Sequence, residues 1–120
     1  MEVIKIVLQL IIAVGIFNVW FLRFGKSSEW RGGSASNMKE EFATYGLPEW
    51  SVYVIGFLKV TFAVLLIAGL FAPVVTDPAA IGMAVLMAGA MVMHFKVGDP
   101  PKKALPSFLM LIMSVAVIAL

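Results

Sequence analysis

A chain of 120 residues that is 62% hydrophobic and 13% charged, with a mean hydropathy of +1.02, has more apolar surface than a water-soluble core of this size can hide. Lipid must cover the rest, and the net charge of +2 supplies no basic face for nucleic acid. The absence of Cys and the single His exclude disulfides, thiolate metal sites, thiol relays and a bis-His haem within one chain.

The first apolar run, about 3–22, is as long as a spanning helix, and no small-residue site closes it as a cleavable signal would. Lys5 lies near enough to its start to snorkel. Gln9 and Asn18 lie deeper and are expected to face other helices, because an amide facing lipid loses its hydrogen bonds. Trp20, Phe21 and Phe24 form an aromatic exit, followed by Arg23 and Lys26.

Residues 25–37 are polar and glycine-rich and predict a loop; the Gly32–Gly33 pair is taken as part of it. Asn37 with Glu40 three residues on is a capping-box pattern. Met38, Phe42 and Tyr45 fall on one face opposite Lys39 and Glu40, which predicts a short amphipathic helix over 38–45 lying in the interface. Gly46 is suited to stop it and Pro48 to open the next helix.

The second span, about 50–71, contains one ionisable residue, Lys59. An ammonium group inside an apolar run is expensive, so it either faces a polar interior or snorkels out. The third span, about 79–95, carries Ala80, Ala84 and Ala88 with Gly82 and Gly89, which permits close backbone approach. Its methionines at 83, 87 and 91, with Met93, Met110 and Met113 in reach, are better explained by packing than by Cu(I) binding, since neither Cys nor a second His accompanies them. The fourth span, about 104–120, is short. The expected architecture is therefore all-α: one transmembrane domain over 1–120, an antiparallel four-transmembrane-helix bundle with the interfacial helix between spans one and two.

Arg23, Lys26, Arg31, Lys39, Lys96, Lys102 and Lys103 share one side and Lys5 marks the other, so the positive-inside rule puts both long connections in the cytoplasm. Spans one and three end, and spans two and four begin, at that side. Lys59 lies nine residues beyond Trp50, roughly 13 Å along a helix, and its side chain points back toward the helix start. Asn18, Arg23, Glu41, Lys59, His94 and Asp99 are thus candidates for one polar pocket, with Lys59 and His94 as donors to an anionic or quinone-like head group. Alternatively, Lys59 pairs with Glu41 and His94 anchors a helix end. No phosphate loop, nucleophile triad or metal-spacing motif is present.

The string Glu40-Glu-Phe-Ala-Thr-Tyr-Gly-Leu-Pro-Glu-Trp50, then Gly56-Phe-Leu-Lys59 and His94-x-Lys96-x-x-Asp99-Pro100, together with Asn18-x-x-x-x-Arg23, resembles the DoxX-like proteins over nearly the whole chain. The resemblance implies a four-helix membrane protein. The activities attached to such proteins differ: a subunit associated with thiosulfate:quinone oxidoreduction, stress resistance, cargo export, receptor assembly. A shared fold does not select among them. Three functions follow as expectations. The first is a non-catalytic module binding a lipid or quinone head group around Lys59, with no other cofactor. The second is a docking partner for a second copy or for other membrane proteins. The third is a membrane subunit of a quinone-linked oxidoreductase. The expected location is the plasma membrane of a prokaryote.

Overall fold

The computed structural model describes residues 2–26 and 31–120. Met1 and the part of the expected loop formed by Ser27, Ser28, Glu29 and Trp30 lie outside the described residues. All regular structure among the described residues is helical: α1 Glu2–Phe17 continuing as a π-helical turn Asn18–Leu22, α2 Met38–Thr44, α3 Trp50–Ala68, α4 Thr76–Lys96 and α5 Leu105–Ala119, with short 3-10 turns at Pro73–Val75 and Pro101–Ala104. Four stretches, Glu2–Leu22, Trp50–Ala68, Pro73–Lys96 and Pro101–Ala119, are long and apolar enough to cross a membrane.

Each long helix buries one stripe and leaves the rest to lipid; no more than 28% of any spanning window is buried. On α1 the stripe is Gln9, Ile12, Ala13, Ile16 and Trp20; on α4 it is Ala79, Ala80, Met83, Met87 and His94. In a bilayer the outer residues gain nothing by leaving lipid, so close van der Waals packing and interhelical hydrogen bonds hold the helices together. Small residues permit that packing. The Gly82 backbone lies under the Phe62 ring, and Gly15 lies under the Met110 methyl. Met83 and Met87 belong to the apolar core, as thioether packing requires.

The helices run antiparallel, so the bundle has two unlike ends. At the tight-turn end, α3 gives way to α4 within a few residues. Gly69 sits so close to Thr76 that a Cβ there would fall 2.1 Å from the Thr76 hydroxyl oxygen, and buried Gln9 donates to the Leu66 carbonyl at 2.9 Å. At the loop end, the 31–47 segment with α2 packs against the turn between α4 and α5.

Three local details differ from the sequence expectation. The second span ends as an α-helix at Ala68 rather than near 71; a turn follows, and the backbone leaves helical geometry at Ala72. The third begins at Thr76 rather than 79; Pro78 falls in its first turn, where no intrahelical amide bond is lost. The end of the first span is π-helical, closed by an Arg23 N–H to Asn18 carbonyl bond of 2.9 Å. That extra residue in the turn carries buried Trp20, which lies on Gly56 of α3.

Candidate functional site

Trp20 is the hub of the loop end. Its ring covers Gly56, where a Cβ would lie 2.5 Å from the indole. It meets Phe42 of α2 edge-on at 6.3 Å and Phe24 at 5.8 Å. The Lys59 ammonium lies 5.7 Å from the centre of the Trp20 ring. On α3, Val52, Gly56, Ala63 and Leu66 form the inward stripe, and position 59 falls on it at the same 4-3-4-3 spacing. Lys59 is half-buried. Its ammonium has no hydrogen-bond or ion-pair partner among the described residues, and its contact is the Trp20 ring.

α2 is built to hold Glu41 in place. Asn37 caps it, its side-chain oxygen accepting from the Glu40 N–H at 2.9 Å, and Gly46, at φ +80°, reverses the chain where a side chain would be strained. Met38 and Phe42 face the core, which turns Glu41 and Tyr45 toward the neighbouring loops. Glu41 accepts from Arg31 Nη1 at 3.0 Å, from the Gly32 N–H at 3.1 Å and from the Tyr45 hydroxyl at 2.8 Å. Arg31 is 5% exposed, and its remaining donors reach the backbone carbonyls of Lys26, Arg23 and Phe24. Those carbonyls lie just beyond the π turn, so one guanidinium ties the end of the first span to α2.

The chain of contacts continues into α4. The Tyr45 hydroxyl oxygen stands 3.4 Å from His94 Nε2, and His94 Nδ1 stands 2.8 Å from Asp99 Oδ2. The Gly33 N–H donates to Asp99 Oδ1 at 3.0 Å. Lys96 donates to the Tyr45 carbonyl at 2.9 Å, and Lys103 donates to the Gly33 carbonyl. Burial alone would raise the Asp99 carboxyl. The hydrogen bonds from His94 and Gly33, with the nearby charges of His94 and Lys103, outweigh it and hold Asp99 below the ordinary 3.8.

Glu41, His94 and Asp99 are therefore drawn into one network, with Tyr45 as the link. Lys59 stands apart from it, beneath Trp20. The Asn18 side chain, expected to face another helix, lines a groove made by Val14, Gly15, Phe17, Phe21 and Leu22 of its own span. Arg23 is exposed, and it joins the site through its carbonyl rather than its guanidinium. Arg31, Gly32 and Gly33 read in sequence as plain loop. The glycines are structural instead: a Cβ on Gly32 would fall 2.4 Å from the Tyr45 ring, and Gly33 has φ +55°. The usable signal was an arginine followed by two glycines, with tyrosine four residues after glutamate.

An apolar groove of about 510 Å3 runs beside this end between the two spans, lined by Trp20, Phe24, Tyr53, Gly56, Phe57 and Val60 among others. Among the described residues no group of three or more His, Cys, Asp or Glu side chains converges as metal ligands would. The DoxX-like family model matches residues 7–117. No curated protein and no solved structure matches the chain.

Proposed function

The chain belongs to the DoxX-like family, and for this multi-pass integral membrane protein we propose a non-catalytic role, as a single-domain binding or assembly module with its ligand site around Lys59. The observation that carries it is the ammonium on the inward stripe of α3, set over the Trp20 ring with no acceptor among the described residues. A charge kept at that depth without an acceptor is a site for one. The phosphate of an anionic lipid or the carbonyl of a quinone supplies it, and the adjoining apolar groove, which shares Trp20, receives the hydrophobic tail. Of the six candidates from the sequence, Lys59 touches the head group. Glu41, His94 and Asp99 hold the cover above it, and Asn18 and Arg23 shape the first span beside it.

Thermal unfolding in detergent tests this directly. Phosphatidylglycerol or a short-chain ubiquinone should raise the unfolding temperature of the wild type, and Lys59→Met should abolish the rise while remaining folded. An equal rise in the variant removes the site.

A second function is favoured by α4. Val85, Ala88, Gly89 and Val92 form an exposed strip, and a Cβ on Gly89 would meet nothing within 4 Å, the kind of flat surface on which a second helix packs. A homo-oligomer, or a complex with another membrane protein, would use it. Crosslinked dimers lost in Gly89→Leu but kept in Lys59→Met would favour this over head-group binding. By the excess of Lys and Arg at the loop end, that end faces the cytoplasm of a prokaryotic cell.

A further inference from the structure

The loop-end network can be followed proton by proton, independently of any ligand at Lys59. Glu41 receives Arg31, the Gly32 N–H and the Tyr45 hydroxyl, so its two oxygens act as acceptors to all three. The Tyr45 oxygen stands 2.8 Å from Glu41 Oε1, so the phenolic proton lies between them. Burial and the Glu41 charge push the Tyr45 phenol above its ordinary value, which keeps that proton in place. Asp99, held below the ordinary carboxylate range, likewise requires a proton on His94 Nδ1. The single phenolic proton is already given to Glu41, so Tyr45 offers His94 Nε2 only an oxygen lone pair. Both ring nitrogens of His94 face acceptors.

We propose that His94 closes the loop end only as an imidazolium, so that the clamp joining the 31–47 segment to the turn after α4 is a proton-controlled latch. Charged and titratable groups reach the ring and its partners from every element of the network. Glu41 comes from α2 and Tyr45 from its C-terminal end, Arg31 from the preceding loop, Asp99 from the turn beyond α4, Lys96 from the helix of His94 itself, and Lys103 from the turn into α5. The cations at 31, 96 and 103 are aimed at Glu41 and at the Tyr45 and Gly33 carbonyls, while Asp99 bonds the ring directly and Glu41 is one hydroxyl away. When the ring proton leaves, Nε2 faces the Tyr45 lone pair unless the phenol turns from Glu41. Either way one buried bond is lost. The latch is therefore closed while both ring nitrogens carry protons and released when one of them leaves.

The chain has one histidine, so selective 15N-histidine labelling of the full chain in phospholipid nanodiscs gives a single imidazole to follow. From pH 5.5 to 8.5, amide protection in residues 31–47, corrected for intrinsic exchange, is expected to fall about tenfold, as loss of one charge-assisted hydrogen bond implies, in step with loss of the ring proton. Tyr45→Phe removes the oxygen that Nε2 faces and should flatten the response while the Asp99 bond persists. A neutral imidazole coexisting with full protection in the wild type overturns the latch, as does protection that ignores the titration. The wild-type spectrum decides even if the variant does not fold.

Discussion

The two ends of the bundle are closed by different chemistry. At the tight-turn end the closure is steric and nearly neutral: Gly69 against Thr76, one amide bond from Gln9 to a carbonyl, and an outlying Lys5–Asp77 pair at 4.0 Å. At the loop end it is polar, charged and buried: the side chains of Arg31 and Glu41 are 6% and 12% exposed, and those of His94 and Asp99 are 5% and 6% exposed. Connection length explains the contrast. A turn of a few residues lets backbones touch, so small side chains suffice. The long first connection must be pinned to the helices it crosses, and several of its backbone amides and carbonyls find their partners in side chains. A buried ion pair is weak grounds for net stability, since desolvation offsets the attraction. It does make the loop end intolerant of losing one partner.

The sharpest way to break the contrast is Arg31→Met. It leaves Glu41 without its cation and the Lys26 carbonyl without its side-chain donor, while the Arg23 and Phe24 carbonyls keep only their backbone donors, a loss expected at about 3–5 kcal/mol. Adding Glu41→Met should return a substantial part of it, because no uncompensated charge remains. Thermal or denaturant unfolding of the two single variants and the double variant checks this; strictly additive losses would mean that the pair is not coupled.

Next in size is Gly56→Ala. The new methyl would fall 2.5 Å from an indole pinned between Phe24, Phe42 and the Lys59 ammonium. The ring has little room to retreat, so overpacking should destabilise by about 1–3 kcal/mol. Gly89→Ala serves as the reference, since open space surrounds that position and alanine favours a helix by roughly 0.5–1 kcal/mol over glycine. Opposite signs for these two substitutions are expected in the unfolding temperature.

These residues also mark what the sequence could disclose. The spans are legible because each apolar run is long enough to cross a bilayer, and the start and stop of α2 are legible because Asn37, Glu40 and Gly46 act locally. Glu41, His94 and Asp99 could be assigned to one end by counting helix polarity. What joins them could not. Arg31 looks like a solvated loop charge until the carbonyls just beyond a π turn are placed around it, and in that turn Trp20 meets Gly56 some 36 positions away. The linking role of Tyr45 requires the Gly32 backbone beneath its ring. Each is a tertiary fact with no period or spacing to announce it.

Acid separates the two ends without a mutation. Asp99 is held below its ordinary 3.8 by His94, Gly33 and Lys103. A carboxyl depressed in the fold adds stability that is present above its unfolded value and lost as pH falls through the folded one. Below about pH 4, protection of the Gly33 amide should fall while the Gln9–Leu66 contact, which has no titrating group, keeps its protection. Hydrogen exchange read at both sites across pH 5 to 2.5 tests the asymmetry; parallel loss at both ends would make acid unfolding global.

The smallest effect belongs to Lys5 and Asp77. At 4.0 Å, with side chains 22% and 56% exposed, the pair resembles surface ion pairs worth about 0–1 kcal/mol. Salt should weaken it further, since the screening length falls to about 3 Å at 1 M. Lys5→Met is expected to shift the unfolding temperature slightly at low salt and not at all at 1 M, whereas Arg31→Met should keep its full deficit in both, because its partner is shielded from ions. A salt-sensitive Arg31 deficit would mean that water reaches Glu41, and the difference between the two ends would then be one of chain length alone.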